Sequence, residues 1–127
     1  MSGIARFRTT VLDCRDPGAL ADFYSKLLGW PITHADDEWV VISDGGPPRR
    51  LAFQLAADHQ PPDWPGSERP QQLHIDVTVD DMDTGEKQAL EIGAVKHEYQ
   101  PSEDDSFRVF LDPAGHPFCL CIGEPPG

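Results

Sequence analysis

The feature that most constrains this 127-residue chain is a repeated order of elements. In each half, a strand-like segment leads to an aspartate suited to cap a helix, and a glycine ends the helical pattern. Asp16 and Gly29 are 13 residues apart, and so are Asp80 and Gly93. Residues 6–13 predict the first strand, and three short strand-like segments follow each helix. Residues 44–48 predict a turn in the first half, and residues 94–99 predict a strand in the second. The chain is therefore predicted to consist of two βαβββ modules.

The two modules have predicted boundaries. The first spans about residues 5–57 and the second about 72–123, and the proline-rich residues 58–71 are expected to link them. A sheet of four strands with one helix leaves a face uncovered, so the modules are expected to pair their sheets. The predicted fold class is α+β: one domain, 1–127, with paired βαβββ modules that form an open, curved, barrel-like sheet around a central cleft. Clefts between duplicated halves are common ligand sites.

Capping residues predict where the helices begin and end. Asp16 is the expected N-cap of the first helix, with Pro17 at its first position. The second helix is expected from the cap Asp80 to about Ile92, and Gly85 lowers its propensity. Its apolar stripe is weaker than that of the first helix.

Charge and composition exclude several classes of partner. The chain has 10 Lys and Arg and 22 Asp and Glu, which gives a net charge of −12. Nucleic acid and anionic membranes repel a protein with this charge. Arg6 and Arg8 interrupt the N-terminal region where a signal peptide has its apolar core, so a cytoplasmic location is expected. Three cysteines, an odd number, argue against a secreted disulfide scaffold.

Three segments resemble one known superfamily. They are DPxxLxxFYxxxLG (16–29), HIDVxVDD (74–81) and FLDPxGHPF (110–118). This pattern is similar to the vicinal oxygen chelate superfamily, which includes glyoxalase I, extradiol dioxygenases and bleomycin-binding resistance proteins. The segments PPxWP and QQxHxD within residues 61–76 resemble its glyoxalase-like branch from actinobacteria. The resemblance implies the paired βαβββ fold and a homodimer.

The resemblance also indicates where a metal would bind. In metal-using members, four strands each supply one ligand, usually His, Glu or Gln. The corresponding positions here are Thr9 (or Thr10, counted by the internal repeat), Gln54, His74 and Cys119. This set lacks the oxygen donors that Mg²⁺ or Mn²⁺ prefers and the two His and one carboxylate of an Fe(II) oxygenase. No cofactor is favoured; for zinc or iron, the remaining ligand candidates are His74, Gln54 and Cys119, with Asp76 as an added oxygen donor.

Three residues carry the catalytic hypotheses. His74 is predicted to be a base, a ligand-binding donor or a metal ligand, and the alternative is an imidazole satisfied by Asp76. Asp76 either orients His74 or is a solvent-facing carboxylate. Cys119 becomes a nucleophile if an imidazolium lowers its pKa; otherwise it is a small buried hydrophobe.

Other residues are predicted to contact a ligand. Gln54 lies in the apolar run LAFQLA and needs a hydrogen-bond partner if buried. Trp39 is expected to stack on a ligand or to join the core. Trp64 either covers the cleft or pins the proline-rich loop. Thr9 completes the ligand-binding set.

These observations lead to three functional hypotheses. The favoured one is a protein that binds a small organic molecule in the cleft without the usual four-ligand metal site. The alternative is a lyase, isomerase or dioxygenase, either metal-dependent or using His74 as acid or base. The third is a structural or regulatory role. Glyoxalase I activity is not expected, and enzyme versus binding protein stays open.

Overall fold

The computed structural model describes residues 3–4, 6–46 and 49–123, which form eight strands and two helices. In chain order these are β1 Thr10–Cys14, α1 Pro17–Leu28, β2 Ile32–Ala35, β3 Trp39–Gly46, β4 Arg49–Leu55, β5 Ile75–Thr78, α2 Met82–Glu91, β6 Val95–Lys96, β7 Phe107–Leu111 and β8 Pro117–Cys121. Neither described helix has the length and apolarity needed to span a membrane.

Both halves of the chain have the same strand order. The sheets are ordered β1-β4-β3-β2 and β5-β8-β7-β6. In each, the first strand runs parallel to the last, and the remaining pairs are antiparallel. The α+β class and the two βαβββ modules are therefore confirmed. The described strands hydrogen-bond in two open four-stranded sheets.

The chain divides into two compact units between His59 and Gln60. We call the part up to His59 the first unit and the part from Gln60 the second unit. The proline-rich segment predicted as a linker has no helix or strand, and its residues from Gln60 onward belong to the second unit.

In the first unit, α1 covers one face of its sheet. Tyr24 stacks on Phe53 of β4 with ring centroids 5.7 Å apart, and all but about a hundredth of Tyr24 is buried. The predicted helix ends are confirmed. The Asp16 carboxylate accepts a hydrogen bond from the Ala19 amide at 3.1 Å, and Gly29 ends the helix in the left-handed region, with φ of 74°.

In the second unit, α2 begins one residue later than predicted. Its N-cap is Asp81, not Asp80, and the Asp81 carboxylate accepts a hydrogen bond from the Thr84 amide at 2.8 Å. Two adjacent aspartates offer the same capping chemistry, so the sequence pattern does not distinguish them. The equal spacing of aspartate and glycine in the two halves is therefore not an equal spacing of helix caps.

Several strand boundaries also differ from the predictions. β1 begins at Thr10, not at residue 6, and the strand predicted over 94–99 is only Val95–Lys96. β3 continues through Gly46, into the segment 44–48 that was predicted as a turn, and residues 47–48 lie outside the described residues.

Candidate functional site

His74, Asp76 and Cys119 meet on the second unit's sheet. Asp76 of β5 and Cys119 of β8 are register partners in a parallel pair, which places their side chains on the same face. His74 precedes Asp76 by two residues, and its Nε2 lies 3.0 Å from Asp76 Oδ1. One donor atom from each of the three residues lies within 4.8 Å of the others. The parallel pairing thus brings together residues 43–45 positions apart in sequence.

The environment of Cys119 opposes the predicted nucleophile. Cys119 is 6% exposed, whereas the side chains of His74 and Asp76 are 40% and 60% exposed. Burial, followed by the negative charge and hydrogen bond of Asp76, raises the pKa of the Cys119 thiol to about 12. A nucleophilic thiol requires a lowered pKa. Burial and the Asp76 carboxylate therefore favour the protonated thiol, and a nucleophilic Cys119 stays a prediction.

A pocket of about 210 Å³ opens beside this cluster. Its walls are mainly apolar and come entirely from the second unit: Trp64, Gln71, His74, Pro101, Phe107, Val109, Pro117 and Cys119. Pockets for drug-sized ligands span roughly 300–1,000 Å³. The space therefore suits a small molecule or one group of a larger one.

The loop from Gln60 to Gln71 is held against the second unit at Trp64. The Nδ1 of His97 accepts the Tyr99 amide at 3.0 Å, so its Nε2 carries the proton that it donates to the Trp64 carbonyl at 2.9 Å. The Trp64 ring centroid lies 5.0 Å from that of His97 and 5.5 Å from that of Tyr99. Trp64 thus contacts the strand side of the second unit through His97 and Tyr99 and lines the pocket, whereas a role in covering the cleft stays a prediction.

Two polar residues at this site, His97 and Gln71, were not among those predicted from the sequence. His97 lies 33 residues from Trp64, and no local spacing links the two. Gln71 lies in the segment QQxHxD, but only the structure shows that it lines the pocket. Its Oε1 is shielded from solvent and receives no hydrogen bond from any described residue.

The remaining predicted ligand contacts lie in the first unit. Gln54 is exposed, so the condition of burial under which it would need a hydrogen-bond partner is not met. It stands between Asp13 and Trp39 in register, on the face opposite α1. Thr10 lies on the face that α1 covers, whereas Thr9 precedes β1 and its hydroxyl donates to the Thr10 carbonyl at 3.0 Å. Ligand binding by these first-unit residues stays a prediction.

The donors of the cluster fit some metals and not others. An imidazole nitrogen, a carboxylate and a thiolate are ligands that zinc accepts. Mg²⁺ and Mn²⁺ prefer oxygen ligands, and an Fe(II) oxygenase site needs a second histidine. The three residues His74, Asp76 and Cys119 therefore fit a zinc-class ion and do not fit the harder ions.

The strand order and the pocket define a class: proteins built from repeated βαβββ units that carry a small-molecule-sized pocket on a sheet. A family model described as a glyoxalase-like domain matches residues 9–121. The chain belongs to this glyoxalase-like family, within the vicinal oxygen chelate superfamily, and the resemblance of its motifs is confirmed.

Solved structures share the fold at low sequence identity. An enzyme of the glyoxalase/bleomycin resistance protein/dioxygenase family from Burkholderia phytofirmans has a TM-score of 0.70 and 16% identity, covering 93% of this chain and 98% of its own. Lactoylglutathione lyase from Agrobacterium tumefaciens gives 0.62 and 18%, with 96% of each chain covered.

The bleomycin-binding protein from Streptomyces verticillus, solved with copper(II)-bleomycin, has a TM-score of 0.60 and 19% identity, covering 95% of this chain and all of its own. A comparison with curated proteins finds no significant match. At these identities the structural neighbours establish the fold alone.

Proposed function

We propose that the protein binds a small organic molecule in the second-unit pocket lined by Trp64 and His74, hereafter the Trp64 pocket. The observation that carries this proposal is the position of a mainly apolar pocket directly beside a histidine held by a carboxylate. Apolar pockets with a few oriented polar groups are the usual form of small-molecule sites.

The pocket offers two kinds of contact. Trp64 and Phe107 provide flat aromatic surface for a ring. His74 provides the polar contact, and its Nε2 lies 3.0 Å from Asp76 Oδ1. The same pair supports the enzymatic alternative, in which His74 acts as acid or base on a lyase or isomerase substrate and Asp76 orients it. The structurally similar bleomycin-binding protein, solved with copper(II)-bleomycin, is a precedent for ligand binding on the same fold.

A matched histidine provides the control for a binding test. His34 and Asp36 of the first unit have the same H-x-D spacing, with the same 3.0 Å separation of Nε2 and carboxylate oxygen. Small aromatic compounds are screened against the ¹⁵N-labelled chain by NMR. Compounds that bind are expected to shift the signals of Trp64 and Gln71. Their affinity is expected to fall severalfold in His74→Ala but not in His34→Ala. Hits that map elsewhere and bind both variants like the unchanged chain contradict the proposal.

A zinc-dependent enzyme is the second candidate function, because three donor atoms of suitable type lie within 4.8 Å of one another. His74, Asp76 and Cys119 would hold the ion, which polarises a substrate oxygen when bound. Plasma mass spectrometry of the purified chain, before and after addition of Zn²⁺, measures its metal content. About one zinc per chain, lost in Asp76→Asn but retained in the control Asp36→Asn, supports this function. No bound zinc in either preparation excludes it.

The homodimer and the cytoplasmic location stay proposals. Light scattering after size-exclusion chromatography tests the first, with a mass of two chains as the expected result. Fractionation of the producing cells tests the second.

A further inference from the structure

We infer that the Trp64 pocket selects flat ligands that present N–H or O–H donors and rejects carboxylates and phosphates. This inference rests on the proposed binding function and adds the chemical class of the ligand. Three features of the pocket carry it: the charge of its lining, a carboxylate beside it and an acceptor that no described residue pairs.

The lining lacks the side chains that most often bind anions. Carboxylates and phosphates are bound in proteins chiefly by Arg, by Lys and by clusters of backbone amides. None of the described lining residues is Arg or Lys. The Asp76 carboxylate contacts both His74 and Cys119 beside the pocket, and it adds to the net charge of −12. An anionic ligand is therefore repelled at this site.

The carboxylate beside the pocket adds acceptors. Asp76 Oδ1 lies 3.0 Å from His74 Nε2, and one donor atom from each of His74, Asp76 and Cys119 lies within 4.8 Å of the others. A carboxylate accepts hydrogen bonds and donates none. A ligand that reaches this side of the pocket therefore gains from presenting donors.

Gln71 adds an acceptor without a partner. Its Oε1 is buried, lies in a pocket-lining residue and receives no hydrogen bond from the described residues. A buried unpaired carbonyl is destabilising by about 1–3 kcal/mol. The terminal torsion of glutamine turns easily, so the amide can direct Oε1 at an entering donor. A ligand N–H or O–H that meets Oε1 removes this cost.

Two matched probe pairs test the inference on the full ¹⁵N-labelled chain at physiological salt. Benzamidine and benzoate are planar and close in shape, but the first presents N–H donors and the second oxygen acceptors. Indole and benzofuran are neutral and differ at one ring atom, N–H against O. We expect benzamidine to bind about tenfold more tightly than benzoate, and indole about fivefold more tightly than benzofuran, with shifts at Trp64 and Gln71.

Two glutamine variants test whether Gln71 causes the preference for ligands with donors. Gln71→Met keeps the length of the side chain and removes the acceptor, so indole and benzofuran are expected to bind it equally. Gln72→Met changes the exposed neighbour and is expected to keep the preference of the unchanged chain. The amide spectrum of each variant verifies its fold.

The outcomes separate this inference from the proposed function. If benzoate binds in the pocket as tightly as benzamidine, or benzofuran as tightly as indole, the inference is wrong while the pocket remains a binding site. If Gln71→Met keeps the full preference for indole, the inference is also wrong, because another group recognises the donor. If none of the four probes shifts pocket signals at millimolar concentration, both the inference and the proposed function fail.

Discussion

At the scale of single residues, identical spacing leads to different surroundings. The chain has two H-x-D pairs, each with 3.0 Å between Nε2 and a carboxylate oxygen. His34 of β2 and Asp36 just after it are exposed, and Asp36 also accepts the amides of Glu38 and Trp39. His74 instead lines a pocket beside a buried thiol. The local motif therefore does not identify the site, and the neighbouring strand does.

A histidine outside the predicted set is expected to control the pocket. His97→Phe removes the donor to the Trp64 carbonyl and the acceptor for the Tyr99 amide, so the loop from Gln60 to Gln71 loosens. We expect the Trp64 indole signal to move in the NMR spectrum and benzamidine affinity to fall severalfold. His34→Phe is the control and leaves both unchanged. An unaltered Trp64 signal in His97→Phe shows that the ring contacts alone hold the loop.

At the scale of elements, the two helices differ in how far their own residues determine them. Both ends of α1 are determined by its own residues, the cap Asp16 and the left-handed Gly29. α2 also depends on a tertiary contact at a residue inside the helix. Gly85 is buried, and a Cβ there would lie 2.8 Å from Cγ1 of Val79. The sequence indicated only that Gly85 weakens the helix, whereas the structure shows that glycine allows α2 to approach the residue after β5.

We expect Gly85→Ala to destabilise the protein although alanine favours a helix. Overpacking against the stiff Val79 side chain costs about 1–3 kcal/mol, more than the roughly 1 kcal/mol that alanine gains in helix propensity. Gly18→Ala in α1 is the control, because its nearest neighbour would be an Asp16 oxygen at 3.6 Å, an ordinary contact. Urea unfolding measures both variants. A Gly85→Ala protein at least as stable as the unchanged chain would mean that Val79 moves aside freely.

At the scale of the whole molecule, several of the numerous acidic residues form specific ion pairs and hydrogen bonds. Arg108 of β7 is ion-paired with Asp105 at 2.7 Å, with Asp83 at 3.0 Å and with Glu86 at 3.1 Å. The hydrogen bond from Arg108 lowers the pKa of Asp105, and the hydrogen bonds from Thr84 lower the pKa of Asp81. Part of the net charge of −12 is thus carried by carboxylates that stabilise the folded state in ionised form.

These lowered pKa values determine the direction of the pH dependence. A carboxyl whose folded pKa lies below its unfolded value of about 3.9 stabilises the protein above that pH and loses the effect as pH falls through the folded pKa. We expect the melting temperature to fall on acidification below about pH 4, after any gain from reduced repulsion at milder pH. Asp81→Asn keeps a capping side chain and is expected to reduce this acid sensitivity. A melting temperature constant down to pH 3 contradicts the expectation.

The sequence by itself determined the two βαβββ modules, the ends of α1, the absence of helix and strand from residue 58 to residue 71, and the glyoxalase-like family. Local interactions explain these results. Caps, turns and apolar periodicity act over a few residues, so a single chain displays them. The first residue of α2 was wrong by one position because adjacent aspartates are equivalent caps.

Only the tertiary structure decided the composition of the site. The approach of Cys119 to Asp76 depends on the register of β5 with β8, and the contact of His97 with Trp64 spans 33 residues. The same packing buries the Cys119 thiol and raises its pKa, and it leaves Gln71 Oε1 without a hydrogen bond from the described residues. Burial and the charges around a group depend on which distant segments surround it, and no local pattern contains that information.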